Sequence, residues 1–171
     1  MLLPLVDLDD PTPSGAALRL ISESRGSTAN FYRMVMNSPS VGNAIISLVW
    51  TLWEKSVLGR RTVELIILRV ATRCNCEYER VAHERLAREA GVTDAEIEAV
   101  LAEHLAEDLP VRTRVMLEVV GCAVAAVELP ETLMERLGRH FTPIERVELL
   151  ATAGVYRAVA VMLESFRVPL D

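Results

Sequence analysis

Apolar side chains recur at spacings of three and four along most of this chain, which is the period of a helix with one buried face. An arm containing Pro4, Pro11 and Pro13 leads into a predicted helix from Pro13-Ser14 through Ala17, Leu18 and Ile21 to about Gly26. Ser27 or Thr28 is placed to cap a short second helix, Ala29 to Met36, whose Phe31, Met34 and Val35 seek a core. The turn Asn37-Ser38-Pro39-Ser40 opens a third, which runs to about Lys55 and carries Ile45, Leu48, Val49, Leu52 and Trp53 on a wide apolar face.

From Thr62 to about Arg73 the pattern is almost continuously apolar, with Val63, Leu65, Ile66, Ile67, Leu68, Val70 and Ala71. Alone, such a run reads equally as a buried strand. Its length, and the lack of a partner strand elsewhere, favour a central helix buried on most sides. An amphipathic helix follows from Glu77 to Ala90, ended by Gly91. Thr93-Asp94-Ala95-Glu96 is a capping box that opens a helix to about Ala106. Leu109-Pro110 starts a small-residue helix, Val111 to Val127, and Pro130 starts a short one. Thr142-Pro143-Ile144-Glu145 is a second capping box, with proline at the first helical position, for a last helix to about Arg167. No alternating strand pattern survives. The expected class is all-α.

A chain of 171 residues suits a single domain with one substantial core. Hydrophobic residues make up 51% but aromatics only 5%, so aliphatic side chains must fill that core. The mean hydropathy of +0.26 is high for a monomer of this size, and points to a membrane or to a covered subunit face. The apolar runs Ala44–Trp53 and Val119–Val127 fall short of the roughly 20 residues a bilayer span needs. The apolar N-terminus stops at Asp7, Asp9 and Asp10 without the basic region of a signal peptide. A cytoplasmic homo-oligomer with no membrane partner is expected. Net charge is −6 with no basic cluster, which gives nucleic-acid binding no electrostatic support. Three cysteines make no disulfide framework and suit a reducing compartment.

The chemistry concentrates in Arg73-Cys74-Asn75-Cys76-Glu77-Tyr78-Glu79-Arg80-Val81-Ala82-His83. A helix starting near Cys76 sets Cys76, Glu79 and His83 at i, i+3 and i+7, on one face. Thiol, carboxylate and imidazole aligned at a helix start suit acid/base or nucleophilic work. Glu64, a lone carboxylate near the start of the apolar run, is costly to bury without a partner, and His83 is one candidate. The bland readings are a core role for Cys76, a helix-stabilising pair for Glu79 and His83, and a first-turn glutamate favoured by the helix dipole for Glu64. Cys74 and Cys122 read as structural, His104 and His140 as surface residues, and Trp50 and Trp53 as packing. A zinc site from Cys74, Cys76 and His83 lacks a fourth ligand and the usual cysteine spacer, so neither metal nor cofactor is expected.

The order Glu64, eleven residues, Cys76, two residues, Glu79, three residues, His83 resembles the motif of the carboxymuconolactone decarboxylase/AhpD-like family, a glutamate, eleven residues, Cys-x-x-Cys, three residues and a histidine. Further resemblance lies in Asn30-Phe31-Tyr32-Arg33 with Ser38-Pro39, in Glu64 to Arg69, in Ala87 to Ile97, in Tyr156, and in Ser165 to Leu170. It implies residues 1–26 as arm and first helix and residues 27–171 as an AhpD-like domain, assembled as trimers or hexamers with the cysteine motif near an interface. In the AhpD branch two cysteines reduce peroxides while glutamate and histidine relay protons. The decarboxylase branch does acid/base chemistry on a small lactone acid.

Glu79 stands where the second cysteine of the redox pattern would be. Cys74 can replace it only if the Cys74–Cys76 turn is not helical. A helix N-terminus favours a thiolate by about 0.3–1 kcal/mol, whereas a carboxylate about 4 Å away opposes it by roughly 4 kcal/mol at an effective dielectric near 20. The carboxylate wins unless protonated or held by His83 or Arg80. The expected function is therefore proton transfer by Glu64, Glu79 and His83 on a small organic substrate oriented by Tyr78 or Arg157. Decarboxylation, isomerisation, dehydration and cyclisation all fit. The alternatives are a thiol peroxidase built on Cys76 and an oligomer that only binds a small molecule.

Overall fold

Prolines and capping residues divide the chain into helices, and the computed structural model describes residues 3–25, 28–106 and 109–171. In chain order these are α1 (Pro13–Arg25), α2 (Asn30–Val35), α3 (Pro39–Lys55), α4 (Arg60–Cys74), α5 (Glu77–Glu89), α6 (Asp94–Leu101), α7 (Val111–Ala125), α8 (Glu131–His140) and α9 (Pro143–Phe166). No strand occurs among the described residues. The helix end expected at Gly26 and the Ser27 cap lie outside them. Ala29, rather than Thr28, stands at the α2 N-cap, with no side-chain cap.

The chain divides into two compact units, Met1–Leu48 with Met162–Asp171, and Val49–Val161. In the first, Leu18, Phe31, Met34, Val35 and Met36 are buried. Ser14 Oγ donates to the Met36 carbonyl at 2.8 Å, and a Cβ at Gly15 would lie 2.1 Å from the Asp10 carbonyl oxygen, so only glycine lets the arm approach α1. The Asn30 N–H donates to Asp171 Oδ1 at 2.6 Å, tying the tail to the start of α2. The expected apolar face of α3 is rotated: Leu48 is 44% exposed, while Ile46, Val49 and Leu52 are buried.

The second unit is organised by α4. Every residue from Val63 to Ala71 is buried, and α4 packs against α5, α6 and α7, with α8 against α7. Full burial of each large aliphatic side chain stabilises by roughly 1.5–3 kcal/mol, which is why this stretch is a helix at the centre rather than at the surface. Two polar residues are buried with it, Glu64 and Arg69. Glu148 Oε2 on α9 accepts from Ser56 Oγ at 2.6 Å and from the Val57 N–H at 2.8 Å, fixing the turn that leads into α4.

Two helix ends differ from expectation. The predicted extension of α6 to Ala106 stops at Leu101, where Ala102 is extended. The Arg69 guanidinium takes the carbonyls that another turn would use, with Nη1 3.1 Å from Val100 O and 2.6 Å from Ala102 O, and Nη2 3.4 Å from Glu103 O. The seventh helix stops at Ala125 instead of Val127, because Ala126 turns left-handed at φ 55°. The Ala126 and Val127 N–H groups then close a Schellman pair onto Ala123 O and Cys122 O. Cys122 itself is half-buried, not a fully enclosed core filler. By length and composition α9 is able to cross a membrane, unlike the shorter runs weighed in the sequence, and 39% of its apolar window is buried within the protein.

Candidate active site

The site is built around a one-residue turn. Asn75 takes the left-handed conformation at φ 52°, ψ 40°, tolerable for asparagine. The Asn75 N–H bonds to Thr72 O at 3.2 Å and the Cys76 N–H to Ala71 O at 2.9 Å, closing α4 with a Schellman motif. Cys76 is at once the last residue of that motif and the N-cap of α5. The C-cap of α4 and the N-cap of α5 are thus adjacent residues. The Cys74–Cys76 segment is the non-helical turn that any pairing of these thiols requires; all three cysteines are free.

Burial along α5 follows the predicted face. Cys76 is 1% exposed and Glu79 2%, and the His83 side chain is 12% exposed, whereas the Glu77 side chain is 71% exposed. Tyr78 is also buried. From α4, Glu64 is completely buried, and its carboxylate meets α5 directly, with Oε2 2.7 Å from His83 Nδ1. The partner a buried glutamate requires is His83. The other oxygen, Oε1, accepts the Trp53 indole N–H at 2.6 Å, and Arg60 Nε lies 3.9 Å from it. Tyr156 on α9 sets its ring 5.3 Å from that of His83, nearly perpendicular.

With Glu64 as a carboxylate, which only accepts, His83 Nδ1 carries a hydrogen and Nε2 is left to take or give a proton. The pair is therefore a carboxylate-oriented imidazole, sealed at the glutamate and reachable at the histidine.

Two charged residues act on the thiol that precedes the turn. The half-buried Cys74 thiol is pushed above its ordinary range by burial and then by the Glu79 charge, against an opposing pull from Arg157. Arg157 is half-buried. Among the described residues no group of three or more His, Cys, Asp and Glu side chains is arranged to hold a metal ion. His104 is exposed.

Sequence reasoning overlooked two neighbours of the pair. Trp53, read as packing, is a hydrogen-bond donor to Glu64. Arg60 stacks over the Trp53 ring at 3.4 Å from its centroid. Tyr156 was legible only through family likeness. A usable signal for the first two was Trp53 and Arg60 flanking a short turn just ahead of Glu64.

The fold is shared with known structures. An uncharacterized peroxidase-related protein from Silicibacter sp. TM1040 superposes with a TM-score of 0.85 at 21% identity, over 99% of this chain and 91% of its own. An alkylhydroperoxidase AhpD core, peroxidase-related protein from Ralstonia eutropha JMP134 gives 0.85 at 20% identity, over 99% and 92%. The debrominase Bmp8 in complex with 2,3,4-tribromopyrrole gives 0.82 at 12% identity, over 100% and 92%. No curated protein matches the sequence. The fold is thus all-helical and AhpD-like. Residues 39–108, which include α3 to α6 and hold the Glu64–His83 pair, match the model of the carboxymuconolactone decarboxylase family.

Proposed function

We propose that this protein is an acid/base enzyme of the carboxymuconolactone decarboxylase kind, acting on a small organic substrate. The observation that carries the reading is the 2.7 Å contact between a fully buried glutamate and a partly exposed histidine. Such a pair holds the imidazole in one orientation and offers Nε2 as the proton-transfer atom. Glu79, buried at the same helix face, is the second proton carrier. Tyr78 and Arg157 orient the substrate, with Arg157 favouring an anionic group. Decarboxylation, isomerisation, dehydration or cyclisation each require this kind of proton movement. A small ring as substrate accords with the tribromopyrrole in the complex of the debrominase that shares the fold.

The assay is turnover of a panel of small lactone acids and related ring compounds. Glu64→Gln and His83→Gln are expected to reduce it by about 100-fold or more, in the usual range for losing a general acid or base, while Cys76→Ser is mild. Full activity in His83→Gln would end the reading. One observation favours the peroxidase alternative: the left-handed Asn75 leaves a non-helical turn between Cys74 and Cys76. In that case peroxide consumption disappears in Cys76→Ser, with Cys74 or an outside thiol resolving the sulfenate. Binding without turnover across the panel supports the third reading, a non-catalytic oligomer.

The protein acts as a homo-oligomer in a reducing compartment, the cytoplasm. Free thiols support the compartment. The assembly is supported by α9, where Ile144, Val147, Leu150 and Val161 are 60%, 68%, 39% and 58% exposed, and where Gly154 and Ala158 are exposed between them. These positions follow helical spacing along one stripe, a pattern that suits a covered subunit face.

A further inference from the structure

We propose that Trp53 and Arg60 form a positioning clamp that sets which nitrogen of His83 carries the proton; this rests on the acid/base reading of the Glu64–His83 pair. The indole N–H is a donor only, and at 2.6 Å from Oε1 it fixes the carboxylate of a side chain with no solvent exposure. That bond holds the plane of the carboxylate and so the direction in which Oε2 meets Nδ1. The indole is itself held from two sides. Arg60 lies 3.4 Å over its ring, and Trp50 packs edge-on, with centroids 5.4 Å apart at 69°. A cation stacked on an indole face is attracted by the ring quadrupole. The same guanidinium stands 3.9 Å from Glu64 Oε1, so one residue both steadies the donor and favours the charged acceptor.

A tryptophan serving only as core would need none of this. Its contacts would be apolar, and removing the N–H while keeping an aromatic ring would leave the histidine unmoved. Under the clamp, loss of the N–H leaves a buried carboxylate oxygen short of a donor, which frees the carboxylate to rotate or take up a proton. The oriented Nδ1–H tautomer is then no longer imposed. Arg60 is 40% exposed, so its replacement leaves the core intact and probes the clamp from outside.

The test uses the whole protein labelled with nitrogen-15 in histidine and tryptophan, and needs no substrate. His83 is assigned by its absence in His83→Gln. In the wild type its two ring nitrogens should give one unprotonated and one protonated signal, the latter Nδ1, and the Trp53 indole hydrogen should exchange slowly with solvent. In Trp53→Phe the two nitrogen signals should move toward each other as tautomers mix; in Arg60→Ala the same change should appear in smaller degree. Arg60→Lys, which keeps the charge, should recover part of it. Should Trp53→Phe fail to fold, the Arg60 pair and the wild-type indole exchange decide the matter. Unchanged His83 signals in the folded variants, or an indole hydrogen exchanging as fast as an exposed one, overturn the clamp. Turnover in His83→Gln tests the acid/base reading separately, so either idea can fail alone.

Discussion

At the residue scale, a buried charge is informative because it must be accounted for. Glu64 was legible in the sequence as a carboxylate needing a partner inside an apolar run, and its hydrogen bond to His83, nineteen positions on, answers that need. Trp53 was not legible in the same way. An indole looks apolar in a periodicity, and its donor acquires meaning only when the α3–α4 turn brings it to Glu64. The cysteines carry a prediction of their own. Burial, then the Glu79 charge, raise the Cys74 thiol above its usual value, and Arg157 opposes them. Only the thiolate is alkylated at an appreciable rate. At pH 7 Cys74 should therefore react more slowly with iodoacetamide than a free cysteine, and faster as pH rises. Glu79→Gln should speed its labelling and Arg157→Gln should slow it, as read by site-resolved mass spectrometry. Equal rates in all three proteins would contradict this account of the thiol.

At the scale of the element, starts were easier to read than ends. Thr93-Asp94-Ala95-Glu96 and Thr142-Pro143-Ile144-Glu145 announce α6 and α9 through reciprocal bonds between neighbours in sequence, with Glu96 N–H to Thr93 Oγ1 at 3.3 Å and Glu145 N–H to Thr142 Oγ1 at 3.4 Å. The end of α6 is set by Arg69, more than thirty residues upstream, and no local pattern reveals that. Arg69 is 5% exposed and serves three carbonyls. Its replacement by methionine keeps much of the apolar stem but leaves those oxygens without a charged donor. Hydrogen bonds to charged groups contribute roughly 1.5–3 kcal/mol each, and two of these carbonyls belong to exposed residues that water can serve. The expected loss is about 2–3 kcal/mol in urea unfolding, with faster amide exchange through α6. An unchanged midpoint would show that the guanidinium is only a guest there.

On the scale of the whole molecule, the high apolar content of the sequence finds its place partly in α4 and partly on the outer stripe of α9. The long apolar helix was not singled out in the sequence because Glu145, Arg146, Glu148 and Arg157 interrupt it. Only folding sorts those charges from the stripe: Glu145 pairs with Arg112 at 2.6 Å, Arg146 donates to Phe141 O at 2.7 Å, and Glu148 holds the turn before α4. If the stripe is a subunit face, one charge at its most exposed position should be enough to break it. Val147→Asp is expected to lower the mass seen by light scattering from a multiple of the chain to a single chain, with helicity by circular dichroism retained. A wild type that already runs as a monomer would remove the assembly from the proposal.

The left-handed Asn75 also limits how this protein can be altered. One residue more in that turn would part the two roles that Cys76 combines, the bond that closes α4 and the N-cap of α5, and so release the start of α5 from the end of α4. That is enough to swing the imidazole away from its carboxylate while leaving both helices intact. The connection before Cys76 is thus a shared pin: an insertion tolerated in a surface loop would here part Glu64 from His83 without unfolding either helix.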